Sequence, residues 1–276
     1  MYRFLVPALG ILSMLVGVTA AQAPQLPLAP RPEAGGSVTP AFEGWYQNPN
    51  GTFTLLFGYL NRNHKEFLDI PAGPLNRVEP GEPDQGQPTH FLPVGLKEPR
   101  QLGVFTVVVP KDFGSKTVTW TLTANGETSV VPGRLHRDYL ITPLGEEAQG
   151  DTPPEVRFAP DGSPHLGPPR HMNASFSATV GTPLTLSVWA SKKPLKVKIP
   201  GSRDSITLRW SKYRGSGAVS FTQERTEVTS VGGQASTTAT FSSPGDYVLR
   251  LEASTSSDRG SNQCCRTNAL VRVTVM

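Results

Sequence analysis

The chain is short of charged and of apolar residues. Of its 276 residues only 17% are charged and 37% are hydrophobic, against roughly 25% and 45–50% in an average soluble domain. Glycine and proline, 27 of each, fill the difference. Their share is below the roughly 25–30% that is typical of disordered chains, and prolines recur too often for long helices. The composition therefore excludes a helical bundle and favours a β-rich, turn-rich globular protein.

Catalytic signatures are missing. There is no G-x-S-x-G elbow, H-E-x-x-H pair, Walker loop or G-x-G-x-x-G fingerprint. An acid–base cluster can be drawn from His64, Glu66 and Asp69. A set of calcium ligands can be drawn from Glu79, Glu82 and Asp84. We interpret the first set as solvated residues at a strand edge, and the second lacks the spacing of an EF-hand. We therefore expect a protein that is not an enzyme and needs no cofactor or metal.

Cysteine is scarce, and the two residues present are neighbours, Cys264 and Cys265. They cannot staple distant segments, and a zinc site would need three or four ligands. Adjacent Cα atoms across a trans peptide lie about 3.8 Å apart, below the usual disulfide range of about 4.4–6.8 Å. A vicinal disulfide would therefore be strained and easily reduced. The alternatives are a redox-labile loop tip, a rigid apolar contact knob, an inert ring, or two free thiols in an exposed loop.

Neither sign of charge is concentrated along the chain. The formal net charge is +4. The densest basic cluster is one lysine-rich turn, formed by Lys192, Lys193, Lys196 and Lys198. Proteins that bind nucleic acid carry stripes of many phosphate contacts. We interpret the turn as a solvated loop and expect no nucleic-acid partner.

The first 20 residues have the layout of a secretory signal peptide. Arg3 supplies an early positive charge, Phe4–Val18 is almost entirely apolar, and small residues follow. We expect cleavage after Ala20, with cleavage after Ala23 as the alternative, since the latter would put a proline just after the cut. The apolar stretch is shorter than the roughly 20 residues that span a bilayer. The mature protein is expected to be periplasmic or secreted, without an integral membrane segment.

The rest of the chain divides into two β-rich regions. Residues 21–40 form a Pro-rich spacer, residues 41–142 an N-terminal β-sandwich domain, and residues 143–173 a Pro/Gly-rich connector with at most one edge strand at Val156–Phe158. In the first domain Thr alternates with apolar residues over 117–123, and Asn125-Gly126 is a strong hairpin signal. Residues 174–276 contain several short alternating strands, which is typical of a second β-sandwich.

A corner motif is the most legible part of the second domain. Ser243-Pro244-Gly245-Asp246-Tyr247-x-Leu249 resembles the corner before strand F of immunoglobulin-like and polycystic-kidney-disease-type domains. The resemblance implies that Tyr247 hydrogen-bonds to backbone just upstream, that Trp210 is the core tryptophan of strand C, and that the cysteine pair lies in the loop between strands F and G. Because Leu249 replaces cysteine at the strand-F position, no inter-sheet disulfide is expected there.

The first domain offers one weak candidate for ligand contact. Its segments GWYQNPNGTFTLLFGYLNRN and PGEPDQGQPTHFLP are similar to uncharacterised exported proteins of bacteria, which implies an envelope location and no activity. Trp45 and Tyr46 are consecutive, so in a strand they point to opposite faces. An exposed ring beside asparagine-rich turns would suit stacking on a sugar. The alternative is that both rings are buried.

These observations favour an exported, non-catalytic binding or interaction protein of the bacterial envelope, with an unknown protein or glycan as its partner. One alternative is a carbohydrate-binding or glycan-processing envelope protein. A second is a redox-linked protein that uses Cys264 and Cys265. The fold class cannot decide among them, because sandwiches host many unrelated functions.

Overall fold

The computed structural model describes residues 32–93, 100–145, 150–195, 205–255 and 264–276. All of them belong to one compact unit, Arg31–Met276. The predicted signal peptide, its cleavage site after Ala20 or Ala23, and the spacer up to residue 31 lie outside the described residues. We call residues 32–145 the N-terminal half and residues 150–276 the C-terminal half.

The N-terminal half is built from short antiparallel sheets. Its strands are β1 (Val38–Gln47), β2 (Phe53–Asn61), β3 (Leu68–Asp69), β4 (Asn76–Glu79), β5 (His90–Phe91), β6 (Gln101–Val109), β7 (Thr117–Ala124) and β8 (Glu127–Arg134). They form the sheets β1-β2-β6, β4-β7-β8 and β3-β5. Trp120 is fully buried where the two larger sheets face each other, edge-on to Phe105 at a ring distance of 4.8 Å. A 3₁₀ turn, Arg137–Tyr139, follows β8.

The hairpin between β7 and β8 forms as the sequence predicts. Asn125 and Gly126 occupy the turn with φ of 49° and 79°, as a type I′ turn requires at both central residues. Val118, Trp120 and Leu122 are buried, because alternate residues of β7 point to the core.

The C-terminal half is a two-sheet sandwich. Its strands are β9 (Glu155–Arg157), β10 (Met172–Ala178), β11 (Leu184–Ser191), β12 (Ser205–Arg214), β13 (Val219–Phe221), β14 (Arg225–Thr229), β15 (Gly233–Phe241), β16 (Gly245–Thr255) and β17 (Thr267–Val275). The sheet orders are β10-β17-β16-β12-β14 and β13-β15-β11-β9. Placing β12, β16 and β17 together opposite β11 and β15 gives the immunoglobulin-like arrangement of strands C, F and G facing B and E. The all-β class is confirmed.

The corner before β16 has the predicted hydrogen bonds. The Tyr247 hydroxyl donates to the Ser243 carbonyl at 2.8 Å and accepts from the Gly217 backbone N–H at 3.1 Å. The ring is fully buried, and a Cβ at Gly215 would overlap it. Trp210 is buried on β12, in the strand-C position.

Strand β16 departs from a simple alternating pattern. One face carries Tyr247, Leu249, Leu251 and Ala253, all fully buried. On the opposite face Arg250 is only 3% exposed and Glu252 only 6%. That face therefore lies against protein and not against solvent.

The predicted spacer and connector are shorter and better packed than expected. Strand β1 begins at Val38, inside the spacer 21–40, and Ser37 accepts a hydrogen bond from the Arg62 N–H. Within the connector 143–173, β9 pairs with β11, which confirms the edge strand at Val156. The described part of the connector otherwise has little regular secondary structure before Met172, and it packs against the C-terminal half through β9. The domain boundaries themselves stay a prediction.

A buried ion pair lies at the edge of the connector. Lys192 Nζ is 2.6 Å from Asp151 Oδ1, and both side chains are almost inaccessible to solvent. The sequence analysis interpreted Lys192 as part of a solvated loop, and at this residue that interpretation is wrong. Lys196 and Lys198 lie outside the described residues.

Candidate functional site

The end of β12 holds the two halves together. Arg214 makes a two-pronged contact with the Asp84 carboxylate, at 2.7 and 3.0 Å, and also donates to the Gln87 carbonyl. The Arg214 hydrogen bonds lower the pKa of Asp84. The Asp84 carboxylate is thus bonded to a guanidinium, and Glu79 is likewise paired with Arg77. These two carboxylates therefore do not form a calcium site with Glu82.

The neighbouring tyrosine extends this contact. The Tyr213 hydroxyl donates to the Gly86 carbonyl at 2.6 Å, and its own backbone carbonyl accepts from the Thr89 N–H at 3.1 Å. Its ring packs in the apolar core of the N-terminal half. The segment 84–90 is therefore fixed against β12 by side-chain and backbone hydrogen bonds.

A cleft of about 740 Å³ opens beside this contact. Both halves contribute its walls, which include Phe67, Asp69 and His90 from one half and Trp210, Val219 and Phe221 from the other. The lining is more apolar than polar, with a few polar groups at fixed positions. Ligand sites in proteins have this size and character.

Three ionisable side chains meet at one end of the cleft. Asp69 Oδ1 lies 2.8 Å from His90 Nδ1 and 3.1 Å from Lys212 Nζ. Lys212 is buried, and its ammonium also donates to the carbonyls of Gly215 and Gly217. A buried charge with this many partners is compensated, so the lysine fixes the position of the Asp69 carboxylate.

His90 is held as a neutral, oriented ring. Burial lowers the pKa of His90, against the opposing effect of the hydrogen bond to Asp69, and so favours the uncharged imidazole. When Nδ1–H donates to Asp69, Nε2 is left as a hydrogen-bond acceptor. The pair thus presents one carboxylate and one imidazole nitrogen, both acceptors, to a ligand.

Phe67 covers His90 at the mouth of the cleft. The two rings stack at a centroid distance of 5.5 Å with an interplanar angle of 13°. Phe67 is 57% exposed. Its outer face is available for stacking against a flat or apolar group.

The acid–base cluster drawn from His64, Glu66 and Asp69 is not assembled. Glu66 accepts instead from the Gly35 N–H and from Asn125, while Asp69 pairs with His90 and Lys212. Sequence reasoning missed these two partners because β3, β5 and β12 meet only in the folded chain. In the part of the chain that the structure describes, no three His, Cys, Asp or Glu side chains are grouped to hold a metal ion.

A second polar cluster joins the halves beyond the cleft wall. Arg250 donates through Nη1 to Gln101 Oε1 at 2.7 Å, through Nε to Asn268 and through Nη2 to Glu252 at 2.7 Å. Arg266 also donates to Glu252, at 3.2 Å. Because Gln101 lines the cleft, this buried cluster is directly connected to the site.

Trp45 and Tyr46 point to opposite faces of β1, as predicted. Tyr46 is buried with Leu56 and Ile141. Trp45 is half-buried against the main core, and its indole N–H donates to the His136 carbonyl at 2.8 Å. Burial removes Tyr46 as a stacking surface, whereas Trp45 as a ligand contact stays a prediction.

Cys264 and Cys265 form a disulfide and lie just before β17, between the strand-F and strand-G positions. They are only 7% and 2% exposed. The connector covers them, with Cys264 Sγ against the Asp151 carbonyl and Thr267 Oγ1 bonded to the Pro154 carbonyl. The pair is therefore buried and not at an exposed loop tip, whereas a redox role for it stays a prediction.

No protein family and no curated protein matches the sequence. Among solved structures, the PapD-like domain 7 of human CEP192 superposes with a TM-score of 0.28 at 10% identity, covering 52% of this chain and 97% of that domain. The D00-D0 domain of intimin gives 0.26 at 11% identity, covering 86% and 99%. These superpositions are too loose to bear on function. No helix in the described ranges is long and apolar enough to cross a membrane.

Proposed function

We propose that the protein is an exported, non-catalytic binding protein that takes its ligand in the cleft between its two halves. The observation that carries this proposal is the construction of the cleft. Asp69, His90 and Lys212 fix one another by hydrogen bonds, and the exposed ring of Phe67 stacks on His90. Pre-arranged polar groups lower the cost of ordering on binding.

The lining suggests what kind of ligand fits. The volume of about 740 Å³ suits a small molecule, a short saccharide or a few residues of peptide. A flat or apolar face would rest on Phe67, and hydrogen-bond donors would meet Asp69 and His90. A saccharide ligand would correspond to the carbohydrate-binding alternative. In that case the ring that stacks on the sugar would be Phe67, and not Trp45 as the sequence analysis considers.

Two features support export. The first 20 residues have the layout of a signal peptide. The chain also contains a disulfide between its only two cysteines, and structural disulfides persist mainly in oxidising compartments outside the cytosol. A periplasmic or secreted location of the mature protein is part of the proposal.

The cleft can be tested by blocking it. A panel of short saccharides, nucleosides and tripeptides would be screened by saturation-transfer NMR against the wild type and Ala218→Trp. Ala218 is exposed and lines the cleft, and its hydrogen bond to Ser242 comes from the backbone N–H. The matched control is Val231→Trp, which adds the same ring at an exposed position outside the lining.

We expect at least one class of compound to bind the wild type and the control variant, to be lost with Ala218→Trp, and to be recovered chemically unchanged. Binding that survives Ala218→Trp would place the ligand elsewhere. Conversion of the compound would show that the protein is an enzyme. Loss of binding in the Val231→Trp control would show a non-specific effect of the added tryptophan.

A further inference from the structure

An acidic side chain is turned inward by an irregularity in β1. The register between β1 and β2 shifts between Phe42 and Gly44, so Glu43 has no residue opposite it. Bulges of this kind change the direction of a side chain. The Glu43 side chain is only 1% exposed, although carboxylates are almost never fully buried unless paired.

The chain makes room for this carboxyl with two glycines. A Cβ at Gly58 would overlap Glu43 Oε1 and the Gln101 carbonyl. Gly103, at φ +59°, donates its backbone N–H to Glu43 Oε2 at 2.8 Å. Two different strands thus have glycine where they surround the Glu43 carboxyl. Glycine at both positions leaves space for the carboxyl in the interior.

The charged groups around Glu43 come from both halves. Arg100, ahead of β6, reaches Oε1 with a long contact of 3.3 Å. Arg250 on β16 and Arg266 ahead of β17 act on the carboxyl from the other half, and both are also bonded to Glu252. Three guanidinium groups are therefore shared between two carboxyls at the junction.

The same segment forms part of the cleft wall. Residues 101–103 lie between Glu43 and the C-terminal half: Gly103 bonds to Glu43, the Leu102 carbonyl accepts from Arg250 and Asn268, and Gln101 accepts from Arg250. Gln101 also lines the cleft. Residues 101–103 therefore connect Glu43 to Arg250 and to the cleft wall.

We infer that Glu43 is a pH-operated clamp on this junction, closed when its carboxyl is protonated and loosened when it ionises. The inference concerns regulation of the cleft and so rests on the proposed function. Ionised Glu43 is hydrogen-bonded only to the Gly103 N–H and, at 3.3 Å, to Arg100. Arg250 and Arg266 also favour its charge, but their own hydrogen bonds go to Glu252, and burial outweighs all of these contacts. The carboxylate gains hydration only if the segment 101–103 separates from Arg250 and Asn268.

The direction of the effect follows from linkage. Burial raises the pKa of Glu43 to about 7, although the nearby arginines and the Gly103 N–H act to lower it. A loosened state in which Glu43 is hydrated titrates near the ordinary value of 4.5. The ratio of closed to loosened molecules therefore falls by roughly 100- to 1,000-fold as the pH rises from below 4.5 to above 7.

The test follows Glu43 and the cleft wall in the same sample. Protein labelled with ¹³C at glutamate δ carbons and ¹⁵N at side-chain amides would be titrated from pH 5 to 9 by NMR. We expect the Glu43 carboxyl and the Gln101 amide to change with one shared midpoint near 7. In Glu43→Gln, which keeps the shape of the protonated form, the Gln101 signal should not titrate.

Glu79→Gln is the matched control, because Glu79 is an exposed carboxylate paired with Arg77. In Glu79→Gln the Glu43 carboxyl and the Gln101 amide should titrate as they do in the wild type. A Glu43 midpoint near 4.5, or a Gln101 signal that titrates in Glu43→Gln as in the wild type, would overturn the clamp. If Glu43→Gln fails to fold, the wild type alone decides: one shared midpoint for the Glu43 carboxyl and the Gln101 amide supports the clamp, and two different midpoints overturn it.

None of these measurements uses a ligand, so the clamp and the proposed function can fail separately. If the Gln101 signal does not change with pH, the clamp is wrong, but compounds can still bind at the cleft. If no compound of the panel binds, the proposed function is wrong, but the titration still tests the clamp. Where a compound does bind, its affinity should fall between pH 6 and pH 8 in the wild type and not in Glu43→Gln. That comparison also separates Glu43 from His90, which is unchanged in both proteins.

Discussion

In the C-terminal half, every described residue of the main apolar core belongs to that half, from Val156 to Val275. The core of the N-terminal half is completed by residues that are far away in sequence, Tyr213 and Leu270, with Met172 and Val248 packed against it. One sandwich is thus self-sufficient, and the other uses the outer face of its neighbour's sheet as part of its own interior. The two β-regions of this chain are therefore not equivalent folding units.

The largest expected effect concerns the isolated halves. Residues 150–276 alone should give β-type circular dichroism and a cooperative melt, because their core is complete. Residues 32–145 alone should fail to melt cooperatively, since they lack Tyr213 and Leu270 and would expose apolar surface. The measurement is thermal melting of each purified fragment and of their mixture.

Recovery of the N-terminal melt on mixing would support this asymmetry. Independent folding of both regions, the expectation from the sequence, would be established if the N-terminal fragment melted cooperatively without its neighbour. In that case the contacts of Tyr213 and Leu270 would be dispensable for its core.

The self-sufficient half offers the next largest effect, at Tyr247. Replacing it with alanine leaves a large cavity and should lower the free energy of unfolding by about 3–5 kcal/mol. Tyr247→Phe leaves the Ser243 carbonyl and the Gly217 N–H without their partner and should cost about 1–3 kcal/mol. Denaturant melts of both variants check these values. A phenylalanine variant as stable as the wild type would show that the hydroxyl contributes nothing to the corner.

The same comparison explains which parts of the fold could be predicted from the sequence. Period-two alternation and the corner motif predicted β11, β12 and β16, because these strands bury one face in their own sandwich. The same alternation alone would place Arg250 and Glu252 in water, since charged residues on the alternate face of a strand ordinarily meet solvent. Here that face meets the other half, and no local signal in the sequence records it.

The candidate site was unpredictable for a related reason. Nothing in the sequence spacing of Asp69, His90 and Lys212 links these three residues. They come from β3, β5 and β12, which are brought together only by packing of the halves. The glycines that admit Glu43 are likewise visible in the sequence, but their purpose depends on which strands are neighbours.

A smaller effect is expected from the junction itself, at Glu43. Because its pKa is raised to about 7 in the folded protein, the folded state holds the proton more tightly than the unfolded state. The contribution of Glu43 to stability is therefore complete below pH 4.5 and is lost as the pH rises through 7. The loss is about 2–4 kcal/mol, because each tenfold difference in proton affinity between the two states corresponds to roughly 1.4 kcal/mol.

Denaturant melts of the wild type and Glu43→Gln at pH 5, 6, 7 and 8 isolate this contribution, since other titrating groups cancel in the difference. The difference in unfolding free energy should change in favour of the glutamine variant as the pH rises. A difference that is constant over this range would mean that Glu43 is ionised throughout in the folded protein.

The smallest effect is expected where the junction is open to water, at Asp84. Its contact with Arg214 has good two-pronged geometry, but the carboxylate side chain is 53% exposed. Exposed pairs typically contribute less than about 1 kcal/mol, and Arg214 keeps its hydrogen bonds to the Gln87 carbonyl when the charge is removed. Asp84→Asn should therefore lower the unfolding free energy by less than about 1 kcal/mol in low salt, and by less still at 1 M salt, where the screening length is about 3 Å. Melts at the two salt concentrations measure this. A loss of several kcal/mol that salt does not reduce would show that the segment 84–90 depends on Asp84, and that the exposed and buried parts of the junction form one cooperative unit.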